Sequence, residues 1–244
     1  MSTIDLNCDM GEGVGNDSLI MPYISSCNIA CGGHSGDENS VRETLVLAKK
    51  YAVKVGAHPA YPDPQNFGRK SMSLPKQELK HHLKKQLLLF MECCSQTKSS
   101  IHHIKPHGAL YNDMFQDKSP TDVFVDLIKE LLPNAFVYCS PDSLLEKECQ
   151  KVGLKVMREG FMDRAYNPDA TLLSRSVEGA VLKNLDQIEQ QLLLMVTKKQ
   201  VPIVANKTID LNVQTVCLHG DNPKAVEIIK HVHQLLKTKG IYVH

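Results

Sequence analysis

The sequence contains no tryptophan and has almost no excess of either charge, with 28 lysines and arginines against 27 aspartates and glutamates. That balance offers no electrostatic reason to bind nucleic acid or an anionic membrane surface. No apolar run approaches the ~20 residues that a membrane span needs. There is no GxxxxGK[ST] loop, which excludes a P-loop nucleotide site as a sequence match. The eight cysteines include no CxxC pair, so Cys27 and Cys31 lack the second pair that a structural zinc requires. The opening MSTIDLNCDMGE has neither the basic nor the apolar region of a secretory signal. The expectation is therefore a cytoplasmic chain with reduced thiols. No composition break, repeat or low-complexity linker divides residues 1–244, which read as a single domain.

What is present is an alternation of strands and helices. Seven short apolar runs, IDLNC, SSCNIAC, AVKVGA, IHHIK, AFVYC, LKVM and VQTVCL, read as strands. Helical spacing of apolar residues covers 76–95 and 185–197. Ser40 with Glu43 reads as a capping box, and Ser119-Pro120, Ser140-Pro141 and Asn222-Pro223 read as helix starts with proline in the first turn. Gly153 and Gly240 sit where helices should end. Such alternation implies parallel pairing through right-handed crossovers, hence a doubly wound sheet or a barrel. The stretch 201–215 lacks a helical pattern and reads as a small hairpin before the last strand.

Period two then sorts the polar residues. On the first strand Asp5, Asn7 and Asp9 share one face, while Ile4, Leu6 and Cys8 share the other. Lys54, Gly56 and His58 fall together on the third strand, His103, Lys105 and His107 on the fourth, and Cys217, His219 and Asp221 on the last. In parallel α/β architectures the functional groups gather at the C-terminal strand ends, where these residues lie. The stretch IKPHGALYN shows why: Pro106 and Gly108 stop the strand and deliver Lys105 and His107 to a shared mouth.

Each candidate has a plainer reading. His81, His82, His231 and His233 fall on helical patterns and read as solvated faces, and His102 and His103 as ordinary strand residues. His34, His58, His107 and His219 differ because glycine or proline accompanies each at a strand end. Asp9 and Glu12 suit a turn brace as well as a base or a metal ligand, and Asp37 and Asp221 suit helix caps. The glycine-rich GEGVG at 11–15 suits a phosphate only weakly. Arg69, Arg164 and Arg175 lie in loops where a guanidinium can clamp a carboxylate or phosphate. Asp163 reads as a partner for one of these arginines.

The stretches DLNCDMGEG (5–13), CNIACGGHSGD (27–37), GAHPAYPDPQNFGR (56–69), KPHGALYN (105–112), REGFMDRAY (158–166) and CLHGD (217–221) together resemble the LamB/YcsF family, in order and over nearly the whole chain. That resemblance implies an irregular seven-stranded (β/α) barrel, similar to the glycoside hydrolase and deacetylase barrels. It also implies ATP-dependent hydrolysis of 5-oxo-L-proline to L-glutamate, the chain serving as the A component of a 5-oxoprolinase beside companion subunits B and C. ATP would be co-substrate, with magnesium accompanying it; neither nucleic acid nor membrane is implied, and a homo-oligomer is compatible. The residues placed in catalysis are Asp9, His58, Lys105, His107 and His219. Those placed at substrate or phosphate are Asn7, Glu12, Asn28, His34, Asp37, Arg69, Asn112, Arg164, Arg175 and Asp221. Two other readings stand beside this one. In a metal-dependent hydrolase or deacetylase acting on a C–N bond, Asp9, His34, His58 and His107 would hold the ion. In the other, a non-catalytic subunit captures the lactam. Departures from the familiar blocks, CGGHSGD for CGFHAGD and Met162 for a small residue, bear on pocket shape and leave every charged candidate in place.

Overall fold

The structure, a computed structural model, describes residues 2–203 and 207–244. Its strands are β1 (Ser2–Met10), β2 (Ser26–Ala30), β3 (Lys54–His58), β4 (Ile101–Ile104), β5 (Phe136–Cys139), β6 (Lys155–Phe161), β7 (Gln200–Ile203), β8 (Lys207–Asp210), β9 (Thr215–Leu218) and β10 (Ile241–Val243). Its helices are α1 (Asp17–Ile20), α2 (Glu38–Lys50), α3 (Lys76–Thr97), α4 (Gly108–Asp113), α5 (Lys118–Leu131), α6 (Leu144–Lys151), α7 (Leu185–Leu193) and α8 (Ala225–Thr238). Strands β1 to β6 and β9 pair in parallel, and β9 pairs with both β6 and β1. A sheet whose last strand returns to its first has no edge, so the seven strands form a closed barrel. They are the seven read from the sequence. The hairpin expected over 201–215 is β7 paired antiparallel with β8, its connection at 204–206 lying outside the described residues. Strand β10 was not foreseen; it adds in parallel to the N-terminal end of β1, pairing Ser2 with Ile241.

The period-two division of β1 sets the layers. Ile4, Leu6, Cys8 and Met10 are buried in the apolar layer beneath the helices. Asp5, Asn7 and Asp9 point into the barrel, where a core of branched aliphatics is the usual filling. Here the filling is polar. Asp5 accepts from Ser26 at 2.7 Å and Thr215 at 2.6 Å, and Asn7 donates to Thr215 at 2.7 Å and Glu159 at 2.9 Å. Asn28 donates to both Asn7 and Asp9 at 2.8 Å. His103 fills the middle of the barrel, donating to Asn28 at 2.7 Å and stacking on Tyr138 at 4.0 Å. Gly56 makes room for it, since a Cβ there would lie 2.3 Å from the imidazole ring.

Four helix starts differ from the expected ones. The capping box of α2 is built by Asp37 and Ser40, each side chain accepting from the other's backbone N–H. Asp37 supplies the charged acceptor for the Ser40 N–H at the start of the helix, so the cap lies three residues before Ser40. Helix α5 is capped by Asp117, and α6 by Ser143. Asn222 accepts from Lys224 N–H in the turn that precedes α8. The helix expected over 185–197 is α7, which continues as a π-helical turn over Leu194–Lys198.

Candidate active site

At the C-terminal end of the barrel, Lys105 follows β4 and crosses the interior, fully enclosed, to reach Asp9 at 3.0 Å and Glu159 at 2.9 Å. Its ammonium also reaches Asn7 at 3.3 Å and Cys217 at 3.1 Å. Burial disfavours the charged form of Lys105, but Asp9 above all holds its pKa well above the ordinary lysine value. Burial likewise disfavours ionised Asp9, yet Lys105 overcomes it and keeps the carboxyl well below the usual carboxylate range. The pair is thus a fixed ion pair in a low-dielectric site.

Above it stand three imidazoles. His58 ends β3, and its Nδ1 lies 2.7 Å from the Lys105 carbonyl oxygen. His107 N-caps α4, and its Nε2 lies 2.9 Å from the Phe67 carbonyl oxygen. A carbonyl can only accept, so each of these nitrogens carries the proton and donates. The other nitrogens, His58 Nε2 and His107 Nδ1, then face each other at 3.0 Å. His34 stacks flat on His107 at 3.5 Å and reaches Glu12 at 2.9 Å. Burial pushes His34 and His107 well below the ordinary imidazole pKa. Burial, reinforced by the negative charge of Asp9, pushes Glu12 well above the usual carboxylate range. Asp9, Glu12, His58 and His107 offer ligand atoms that all lie within 4.8 Å of one another, and this group could hold a metal ion.

Glycine geometry holds this cluster together. Gly68, at φ +62°, lets the loop after β3 press on His107, and a Cβ there would lie 2.9 Å from both His107 and His34. Gly108, at φ +54°, comes so close that a Cβ would meet the Gly68 carbonyl oxygen at 2.6 Å. The KPHG of the sequence thus ends the strand and closes the loop that fixes the His107 tautomer.

Asp9, His58, Lys105 and His107 form the floor of a cavity of about 470 Å³. Arg69, Asn112, Arg164, Arg175 and His219 line its walls. His219 presents Nδ1 to Asp163 at 2.9 Å and stacks on Phe161. Asp163 is fully buried, which disfavours its charge, but His219 and then Asn222 keep its pKa below the ordinary value. Its partner is therefore His219, not one of the arginines as the sequence suggested. Arg164 donates to the carbonyls of Ala180 and Leu173 and so pins the loop over the cavity. Burial pushes its guanidinium pKa down to about 10.

Several sequence candidates stand elsewhere. Asp37 is an exposed helix cap. Asn7 and Asn28 are buried below the floor, where they brace Asp9 and Lys105. Glu12 and His34 sit behind His107, and Glu12, not His34, completes the set with metal-ligand spacing. Asp221 pairs with Arg69 and Arg175 at the rim. Glu159 was missed because the sixth strand was read as LKVM, whereas it runs on to Phe161. Had the period been carried through REGF, Glu159 would have fallen on the face of Met157 and Phe161. The shorter residue in CGGHSGD also has a structural counterpart: a Cβ at Gly33 would lie 2.3 Å from the Gln86 side chain, which occupies that space and clamps Ala60 through its N–H and carbonyl.

The family model described as LamB/YcsF family matches residues 4–244. The A component of a 5-oxoprolinase from Thermococcus sibiricus is 42% identical over 98% of this chain and 96% of its own length. The crystal structure of a lactam utilization protein from Thermus thermophilus superposes with a TM-score of 0.92 at 32% identity, covering 99% of both chains. The peptidoglycan deacetylase PdaC from Bacillus subtilis superposes with a TM-score of 0.51 at 11% identity, over 99% of this chain and 86% of its own, a likeness of fold alone.

Proposed function

The chain belongs to the LamB/YcsF family, and from that premise we propose that it provides the ring-opening site for ATP-coupled hydrolysis of 5-oxo-L-proline to L-glutamate, as the A component of a multi-subunit 5-oxoprolinase. The observation that carries this reading is the convergence of Asp9, His58, Lys105 and His107 on the floor of a cavity walled by Arg69, Arg164 and Arg175. A lactam carbonyl is a poor electrophile. Transfer of the ATP γ-phosphoryl group to its oxygen makes the ring carbon open to water, and magnesium would accompany the nucleotide. Water adds to that carbon, the ring C–N bond breaks as nitrogen takes up a proton, and the resulting acyl phosphate hydrolyses to glutamate and phosphate.

The residues divide this work by their environments. Lys105 and the arginines hold negative charge on the carbonyl and phosphoryl oxygens. His58 or His107 accepts the proton of the attacking water at its unprotonated nitrogen, beside Asp9. His219, oriented through Nδ1 by Asp163, gives a proton from Nε2 to the leaving nitrogen. Arg69 or Arg175, released from Asp221, takes the substrate carboxylate. We place the reaction in the cytoplasm, with subunits B and C as partners that complete the ATP-coupled step.

The test is release of ADP and L-glutamate from 5-oxo-L-proline and ATP by the chain alone and with subunits B and C. Coupled release from the full mixture is expected. Asp9→Ala and His107→Ala should each lower turnover by about 10²- to 10⁴-fold, the range for lost acid-base groups. Wild-type rates in both folded variants would refute the assignment. A second reading, a metal-dependent hydrolase acting on a C–N bond, draws its support from the Asp9, Glu12, His58 and His107 cluster. Chelator-sensitive amide hydrolysis without ATP would favour it.

A further inference from the structure

We propose that Asp9, Glu12, His58 and His107 form a specific site for one divalent first-row transition-metal ion, such as zinc, manganese or cobalt, open on the cavity side. The inference rests on where the protons are. His58 Nδ1 and His107 Nε2 each donate to a backbone carbonyl, at 2.7 Å and 2.9 Å, so in the neutral rings the two nitrogens that face each other at 3.0 Å carry the lone pairs. Asp9 Oδ1 stands 3.4 Å from His58 Nε2, and Glu12 Oε1 stands 3.5 Å from His107 Nδ1. Four polar side chains from three chain segments, the β1 end with its turn, the β3 end and the start of α4, thus converge on one point, and a positive centre between them turns repulsion into coordination.

The spacing suits an ion. With metal–ligand bonds of roughly 2.1 Å, neighbouring ligands lie about 3.0 Å apart in octahedral and about 3.4 Å apart in tetrahedral geometry. The separations of 3.0, 3.4 and 3.5 Å lie close to those values, and all four ligand atoms lie within 4.8 Å of one another. The outer contacts are also those of metal sites, where ligating imidazoles donate their second N–H to a carbonyl and ligating carboxylates are themselves hydrogen-bonded. Asp9 is held by Asn28 at 2.8 Å and Lys105 at 3.0 Å, and Glu12 by His34 at 2.9 Å. Mixed imidazole and carboxylate donors suit zinc, manganese or cobalt better than calcium, which takes oxygen ligands.

Asp9, His58 and His107 line the cavity and Glu12 stands behind them, so the open coordination positions face the space where a carbonyl oxygen and a water would sit. An ion there would supply Lewis-acid polarisation. The site rests on donor geometry alone. Ion binding and glutamate release can therefore succeed or fail independently of each other.

The test strips the full-length chain with a chelator and titrates it with zinc or manganese alone by calorimetry, with cobalt(II) absorption as a spectroscopic readout. One saturable equivalent per chain is expected, with a rise in Tm. His34→Gln, which removes the ring that contacts Glu12 and stacks on His107, should weaken binding by about 10- to 100-fold. Glu12→Gln and His107→Gln should abolish saturable binding, and His58→Gln serves if either fails to fold by circular dichroism. Failure of the folded, stripped wild type to bind any of the three ions would overturn the proposal and assign the shared position to a proton. Unchanged affinity in the folded ligand variants would also overturn it.

Discussion

Replacing Lys105 by methionine keeps the length of the side chain and removes its charge. In the native barrel that ammonium lies 3.0 Å from Asp9 and 2.9 Å from Glu159 and is 2% exposed. Removing one partner from a buried ion pair leaves an uncompensated charge and costs about 3–5 kcal/mol. Here two carboxylates lose the same cation, so the upper end is expected. For a chain of this size each kcal/mol lowers Tm by about 2–4 °C, so Lys105→Met should melt roughly 6–20 °C below wild type. The penalty should also depend on pH. In the native protein Asp9 sits below its unfolded pKa, so its pairing contributes stability that is present above about pH 4 and lost as pH falls through the folded value. In the variant burial acts without Lys105 and raises Asp9, so protonation relieves the strain and the gap to wild type should narrow between pH 7.5 and pH 5. Urea unfolding followed by circular dichroism at both pH values measures this, and Glu159→Gln in the same chain should recover part of the loss. A loss under about 1 kcal/mol, or one that does not change with pH, would refute the ion-pair argument.

Gly56→Ala should cost about 1–3 kcal/mol through overpacking, because the new methyl would lie 2.3 Å from the His103 ring that stacks on Tyr138; an unchanged urea midpoint would contradict that placement. Asp163→Asn should flatten the acid limb of the stability curve. Asp163 is held below its ordinary pKa by His219, so its contribution is present above about pH 4 and fades as pH falls; parallel Tm profiles of variant and wild type between pH 5 and pH 3 would count against the pairing. All eight cysteines are buried and unbridged, and burial pushes thiols such as Cys31 and Cys149 up to about 12. A thiol reagent at pH 8 should therefore label the native chain slowly and the urea-unfolded chain at all eight positions; rapid labelling of native protein would show that the barrel opens.

The polar interior of this barrel separates two uses of buried charge. Lys105 and its carboxylates are locked by mutual contact, and Asp5, Asn7 and Asn28 support them with satisfied hydrogen bonds. The imidazoles above face each other at 3.0 Å, their outer nitrogens held by backbone carbonyls. The hydrogen-bonded network thus lies below the imidazoles and holds the floor of the cavity rigid.

Alternating side-chain direction is a local property of an extended chain, so the sequence alone divided Asp5, Asn7 and Asp9 from Ile4, Leu6 and Cys8, marked seven strands, and assigned Lys105 and His107 to a strand end. The alternation of strands and helices narrowed the fold to a doubly wound sheet or a barrel, and the family resemblance implied the barrel. The sequence did not determine which groups from different strands would meet. The approach of Glu159 to Lys105, of Asp163 to His219 and of Glu12 to His107 spans 54, 56 and 95 positions of chain, and depends on strand register and loop closure around Gly68 and Gly108. Protonation was equally out of reach, because the tautomers of His58 and His107 are set by the carbonyls of Lys105 and Phe67. Only the closed barrel brings those carbonyls to the rings and sets the two remaining ring nitrogens face to face above Asp9.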